Sequence, residues 1–325
     1  MPDSAPDTAM FSKHFHALAA NVETFIRGKS DVVRLALVCL FAEGHLLIED
    51  VPGVAKTSLA KAIARSIAGA TVKRVQFTPD LLPADVTGVQ IYDQARGGFE
   101  FRQGPVFANI LLGDEINRAS PKTQSALLEV MAEHQVTVDG EPRPVPEPFL
   151  CIATQNPVEH QGTYVLPEAQ LDRFLMRIAI GYPDEVAEEV SIIADGIARR
   201  RPEQLDPVLD LDDLRTMIKT VRLLHVSAQL QDYIALITRA TREHPDIQLG
   251  ASPRGSIALA TAAQSYAASM GREFVTDDDV KAVAVPVLGH RLLLTSEARI
   301  AKRTAKSIVE EILDGTPVPR APEPR

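Results

Sequence analysis

A chain of 325 residues, 45% apolar and 24% charged, is long enough for one large domain plus a smaller one, so two packed cores are expected. Its net charge of −9 argues against a protein that coats nucleic acid or an anionic membrane, since both need a positive field. The only two cysteines, Cys39 and Cys151, lie in apolar runs where a thiol acts as a small hydrophobe, which argues against a disulfide or cysteine metal site and fits a cytoplasmic compartment.

The chain begins "MPDSAPDTAM", acidic and proline-rich without the apolar centre of a signal peptide, and residues 1–11 are expected to fray. No apolar run approaches the roughly 20 residues that span a bilayer. Over 12–183, short apolar runs alternate with helical patterns and Gly/Pro turns, the pattern of an α/β domain with a parallel sheet flanked by helices. Over 184–312 strands fade, and apolar spacing predicts helices at 185–198, 211–224, 227–242, 253–270 and 277–288, an all-α second domain. Arg199, Arg200 and Arg201 read as a solvated helix end without assigned function. The tail, 313–325, holds too much proline to pack.

Three apolar runs end in polar groups: "HLLIED" at Asp50, "NILLGDE" at Asp114 and Glu115, and "FLCIATQN" at Gln155 and Asn156. In open parallel sheets ligands bind beyond the carboxyl ends of strands, so these ends can converge if the strands are neighbours. After the first, the loop Asp50, Val51, Pro52, Gly53, Val54, Ala55, Lys56, Thr57, Ser58 resembles a phosphate loop, GxxxxGK[ST], with Asp50 and Ala55 in place of its two glycines. Lys56 and Thr57 stand where such a loop puts its phosphate-binding ammonium and metal-binding hydroxyl; a plain strand-turn-helix would look much the same. Asp114 and Glu115 suit a Mg²⁺ ligand beside a base that polarises water, although acids also cap helices. Asn156 could hold water or a terminal phosphate, or simply a turn. Taken jointly, the three strand ends favour a nucleotide site.

Ala55 is expected in the first turn of its helix with negative φ, hence without strain. Asp50 is expected to point away from phosphate and serve the turn. Arg173, in "LPEAQLDRF", pairs with a neighbouring acid or reaches into a site on an adjacent subunit. In "GASPRGS", Ser252 reads as N-cap, Pro253 as first helical residue, and Arg254 as a first-turn cation that opposes the helix dipole and calls for an anion.

The segments "LLIEDVPGVAKT", "FTPDLLPADVTG", "GPVFANILLGDEINRASPKTQSALLEVMAE", "IATQNPVEHQGTYVLPEAQLDRF" and "LGASPRGSIAL" together resemble the MoxR family of AAA+ ATPases over about residues 12–312. The resemblance implies a helix-two-insert AAA+ P-loop core with an all-α lid, a homo-oligomeric ring (a hexamer), and Mg²⁺-dependent ATP hydrolysis that remodels or matures partner proteins, typically ones with von Willebrand factor A domains. It implies Lys56 and Thr57 as Walker A, Asp114 and Glu115 as Walker B, Asn156 as sensor 1, Arg173 as the finger of an adjacent subunit and Arg254 as sensor 2. Residues 77–105 would be the insert, "HQVTVDGEPRPVPEPF" a hairpin before sensor 1, and Asn117 and Arg118 could line a subunit interface. A low-turnover nucleotide-binding scaffold and a nucleic-acid motor are the alternatives. The acidic balance and the lack of an interleaved basic and aromatic patch speak against the second.

Overall fold

The computed structural model describes residues 6–51, 53–156 and 163–318. Its centre is a five-stranded sheet of β1 (Leu46–Glu49), β2 (Val72–Gln76), β3 (Ile110–Asp114), β4 (Leu150–Gln155) and β5 (Met176–Ile178), in the order β5-β1-β4-β3-β2. Every pairing is parallel, with Leu46 opposite both Met176 and Ile152, and Ile110 opposite both Leu150 and Val72. β1, β3 and β4 are apolar along most of their length because helices cover both faces. Their order β1-β4-β3 makes the three polar strand ends neighbours, the condition for one shared site.

Alternation along the strands separates two cores. Leu46, Ile48, Ile110, Leu112, Leu150 and Ile152 point to one face, and Leu47, Leu111, Cys151 and Ala153 to the other. The first face carries α1 (Thr8–Glu23), α2 (Ser30–Phe41) and α3 (Lys56–Arg65); the second carries α4 (Pro121–Glu133). Two cores therefore exist, but the sheet divides them, not a domain boundary. The first core continues without a break into Leu214, Tyr233, Leu259, Val283 and Ile308 of the C-terminal half. The cause is α2: Val33 and Ala36 to Phe41 are all buried, so this helix needs cover on several sides.

The C-terminal half is built from α5 (Val186–Ile197), α6 (Leu211–Leu223), α7 (Ala228–Glu243), α8 (Pro253–Ser269), α9 (Asp277–Leu288) and α10 (Ala305–Gly315). Caps set several starts: Asp210, Ser227 and Ser252 each accept a first-turn backbone N–H. Both ends are more ordered than their composition implies. α1 starts at Thr8 with Phe11 buried, and the Thr8 hydroxyl donates to the Gly271 carbonyl; α10 runs to Gly315. Residues 1–5 and 319–325 lie outside the described part.

Two antiparallel hairpins leave the sheet: Gly88–Asp93 with Gly98–Gln103, inside the expected insert, and Gln135–Val138 with Glu141–Pro144, ahead of β4. The first exposes Tyr92 and Phe99, packed edge to face at 5.3 Å. On α5, Val186, Val190, Ile193 and Ile197 recur at helical spacing yet are all exposed, an apolar stripe without cover from the described residues. No helix among the described residues is long and apolar enough to cross a membrane.

Candidate functional site

The strand ends meet at a cavity of about 270 Å³ lined by Gly53, Ala55, Lys56, Thr57, Ser58, Arg74, Gln76, Asp114, Glu115, Thr154 and Asn156. A second cavity of about 270 Å³ lies across the same loop, with Gly53, Ala55 and Ser58 common to both and Phe25, Ile26, Ile180, Tyr182 and Ile192 giving it an apolar wall. A polar compartment and an apolar one on either side of a loop suit the phosphates and the base of a nucleotide.

The loop between β1 and α3 explains this division. Gly53 has φ +87° and its Cβ position is open space. α3 begins at Lys56 with no side-chain cap and no acid in its first turn, so its leading N–H groups are available to an anion. Asp50 does point away from the phosphate side: its carboxylate accepts from the N–H groups of Val51 at 2.8 Å, Ile180 at 2.7 Å and Gly181 at 2.6 Å. The residue that replaces the first glycine thus ties the loop to the end of β5. Lys56 donates from Nζ to the Asp50 carbonyl at 2.6 Å. Burial pushes its pKa below the ordinary lysine value, opposed by the carboxylates of Asp50, Asp114 and Glu115. Val54 is buried under the loop, Val51 is partly buried against the first core, and Pro52 lies outside the described residues.

Ala55 departs from expectation. Its φ of +61° and ψ of +21° are left-handed, because it caps α3 where the chain turns into the helix. A methyl group in this region costs about 1 to 2 kcal/mol relative to glycine, so the second glycine of the general loop has a backbone reason. Ala55→Gly should therefore stabilise the protein by about 1 kcal/mol after the entropy of glycine is counted, read as a higher urea midpoint; a lower midpoint would refute the strain.

Asp114 ends β3 buried and accepts from the Thr154 hydroxyl on Oδ1 at 3.2 Å and from Arg74 Nε on Oδ2 at 2.6 Å. Thr57 Oγ1 lies 3.4 Å from the same Oδ2. Two oxygens bound to one Mg²⁺ at about 2.0 to 2.1 Å stand about 3 Å apart, so this pair fits that ion after a small closure. Among the described residues no cluster of three or more His, Cys, Asp or Glu could hold a metal. Glu115 also sits at positive φ, +58°, and its N–H donates to Thr154 Oγ1 at 2.9 Å. Gln76 and Arg118 both donate to its Oε2, at 2.8 and 3.1 Å.

Asn156 is buried and lines the polar cavity. Asn117 is buried as well, its amide donating to the Asn156 carbonyl at 3.3 Å, while Arg118 is paired with Glu115. Asn117 thus supports the end of β4 from inside, whereas the Arg118 side chain is partly exposed beside Glu115. Thr154, Arg74 and Gln76 escape motif reading altogether. Arg74 and Gln76 share one face of β2 by alternation, but only the sheet order puts that face beside Asp114.

Arg173 and Arg254 are absent from both cavities above. They line a different pocket together with Asp172, Arg291, His45 and Ile257. Ser252 is the N-cap of α8 and Pro253 its first residue, as expected. Arg254 nevertheless does not share a cavity with Lys56 of its own chain. Arg291 Nε donates to Asp172 Oδ1 at 2.7 Å and Ser252 Oγ to Asp172 Oδ2 at 2.9 Å, which docks the start of α8 against the segment that carries Arg173.

Residues 45–176 match the profile of the ATPase family associated with various cellular activities (AAA), and residues 239–312 that of the AAA lid domain. The chain is 50% identical over 292 residues to the uncharacterized protein YeaC of Bacillus subtilis, covering 90% of this chain and 91% of that protein. It is 42% identical over 308 residues to chaperone MoxR1 of Mycobacterium tuberculosis, covering 92% and 81%. A crystal structure of a candidate ATPase from Cytophaga hutchinsonii superposes with TM-score 0.90 at 35% identity, covering 97% of each chain. Strand order, phosphate loop, acid pair and sequence likeness agree: the chain belongs to the MoxR family of AAA+ ATPases.

Proposed function

We propose that this chain hydrolyses ATP to ADP and phosphate as a ring oligomer, a hexamer, and spends the energy on remodelling partner proteins in the cytoplasm. The observation that carries this reading is the separation of charges: Lys56, Asp114, Glu115 and Asn156 share one cavity, whereas Arg173 and Arg254 line another. A phosphoryl-transfer site needs cations at the departing phosphate. Among the described residues Arg74 is the one arginine on the polar cavity, and Asp114 already neutralises it. Two arginines from an adjacent copy would supply what each site lacks. The exposed apolar stripe on α5, beside the apolar cavity, further supports assembly.

In this reading the first turn of α3 and Lys56 hold the β- and γ-phosphates, and Asp50, Val51, Gly53, Val54, Ala55 and Ser58 shape the loop around them. Thr57 and Asp114 would hold Mg²⁺, which neutralises phosphate charge when bound. Glu115 takes a proton from the attacking water, Asn156 orients that water or the γ-phosphate, and Arg173 and Arg254 of the adjacent copy meet the developing charge. The name of the relative chaperone MoxR1 favours a protein substrate, and the family resemblance favours a partner with a von Willebrand factor A domain. The net charge of −9 disfavours nucleic acid.

The test is phosphate release from Mg²⁺-ATP across a dilution series, with sedimentation at each concentration. Specific activity should fall as the assembly dissociates. Activity that is independent of concentration, or no turnover in an intact assembly, would refute the proposal, the latter in favour of a nucleotide-binding scaffold.

A further inference from the structure

Asp172 precedes the finger arginine, yet its own carboxylate turns to the lid. Oδ1 accepts from Arg291 Nε at 2.7 Å and Oδ2 from the Ser252 hydroxyl at 2.9 Å, while Arg291 also donates to the carbonyls of Asp172 at 3.2 Å, Phe174 at 2.7 Å and Leu175 at 3.1 Å. The guanidinium of Arg291 is almost wholly enclosed, so it spans the two halves of the chain at a fixed place. Ser252 in turn accepts the backbone N–H of Arg254 at 3.2 Å, as the N-cap of α8. Arg173 is covalently next to Asp172, and Arg254 is two hydrogen bonds from the same carboxylate.

We propose that Asp172 is a positioning residue whose carboxylate, through Ser252 and Arg291, locks Arg173 and Arg254 into one rigid pair presented to the nucleotide of an adjacent subunit. This rests on the assembly reading above and adds to it a device within each chain. A planar, bidentate cation gains from fixed geometry, and two mounted on separate elements reach one phosphoryl group together only if those elements keep their spacing. A half-buried carboxylate on the Arg173 segment, bonded by the cap of α8 and by the enclosed Arg291, does this better than apolar packing, because its bonds have directions as well as a distance.

Ser252→Ala leaves the Asp172–Arg291 ion pair in place and is the primary variant; Asp172→Asn is the harsher one, since it strands the Arg291 charge. Ser252→Ala should lower kcat for ATP about 10- to 100-fold, the scale expected when a catalytic group is misplaced by about 1 Å, without weakening binding of a fluorescent ATP analogue. Ser252→Thr, which restores both the hydroxyl donor and the cap, should recover kcat.

Mixed assemblies separate this from a general structural defect. Subunits with Ser252→Ala should regain turnover when mixed with Lys56→Ala subunits, which cannot bind phosphate normally but present an intact arginine pair. If that mixture stays inactive while Arg173→Ala and Lys56→Ala subunits complement each other, or if Ser252→Ala keeps its kcat, the bridge does not position the pair. If Arg173→Ala and Lys56→Ala subunits also fail to complement, supply from an adjacent copy is itself wrong and the bridge falls with it.

Discussion

Glu115→Gln is expected to lower the turnover number for Mg²⁺-ATP by about 10² to 10⁴-fold, the usual range for loss of a general base, while ATP continues to bind. Among the described residues the donors to the Glu115 side chain, Gln76 and Arg118, both fall on Oε2, which leaves Oε1 as the oxygen expected to take a proton from water. Glutamine keeps the length of the side chain and an oxygen that accepts one of those bonds, but its amide is no base. The backbone at Glu115, held at φ +58° and tied through its N–H to Thr154, does not depend on the side-chain charge, so the site should keep its shape. Single-turnover hydrolysis together with a binding titration checks this. Unchanged turnover, or lost turnover caused only by lost binding, would remove Glu115 from the base role.

The second large effect is on stability against pH. His45 is buried where the chain enters β1, with Nε2 2.9 Å from the Met131 carbonyl and Nδ1 accepting from the Cys151 N–H at 3.1 Å. Those partners select the neutral ring with its proton on Nε2, since a proton on Nδ1 would face the Cys151 N–H. Burial pushes its pKa down to about 4 from 6.5. Between these values the unfolded chain binds a proton that the folded chain refuses, so stability falls as pH drops from about 6.5 to 4, and this one group accounts for about 3 kcal/mol of the loss. Burial and the adjacent Arg291 push buried His290 in the same direction. Urea midpoints for the native protein and for His45→Gln at pH 7.5, 6, 5 and 4.5 should converge toward low pH, because the variant lacks this term. Parallel curves would show that His45 does not titrate as its surroundings demand.

The stretch from Asp50 to Ser58 illustrates what could be read from residues and what could not. That Lys56 and Thr57 stand at the head of a helix was legible from spacing, since a loop of the GxxxxGK[ST] kind leads into one. The angle at Ala55 was not: a φ of +61° arises where the chain turns from the loop into α3, a constraint set by where β1 and α3 sit. Asp50 was expected to turn away, but its partners, the N–H groups of Ile180 and Gly181, are 130 and 131 residues on and become neighbours only because β5 pairs with β1.

The sequence by itself determined the helical character of the C-terminal half, the polar strand ends and the cap of α8 at Ser252. Apolar periodicity, an acid pair after an apolar run and a serine before a proline are local properties that act within a few residues. Tertiary structure alone decided the rest. It placed Arg74, Gln76 and Thr154 around Asp114 and Glu115, joined the helical half to one face of the sheet, and brought Asp172, Ser252 and Arg291 together across two halves of the chain. The physical reason is the same in each case. Strand order and helix docking follow from how α2 and the sheet bury their apolar surface, and no residue carries a local mark of which distant partner that burial will bring to it.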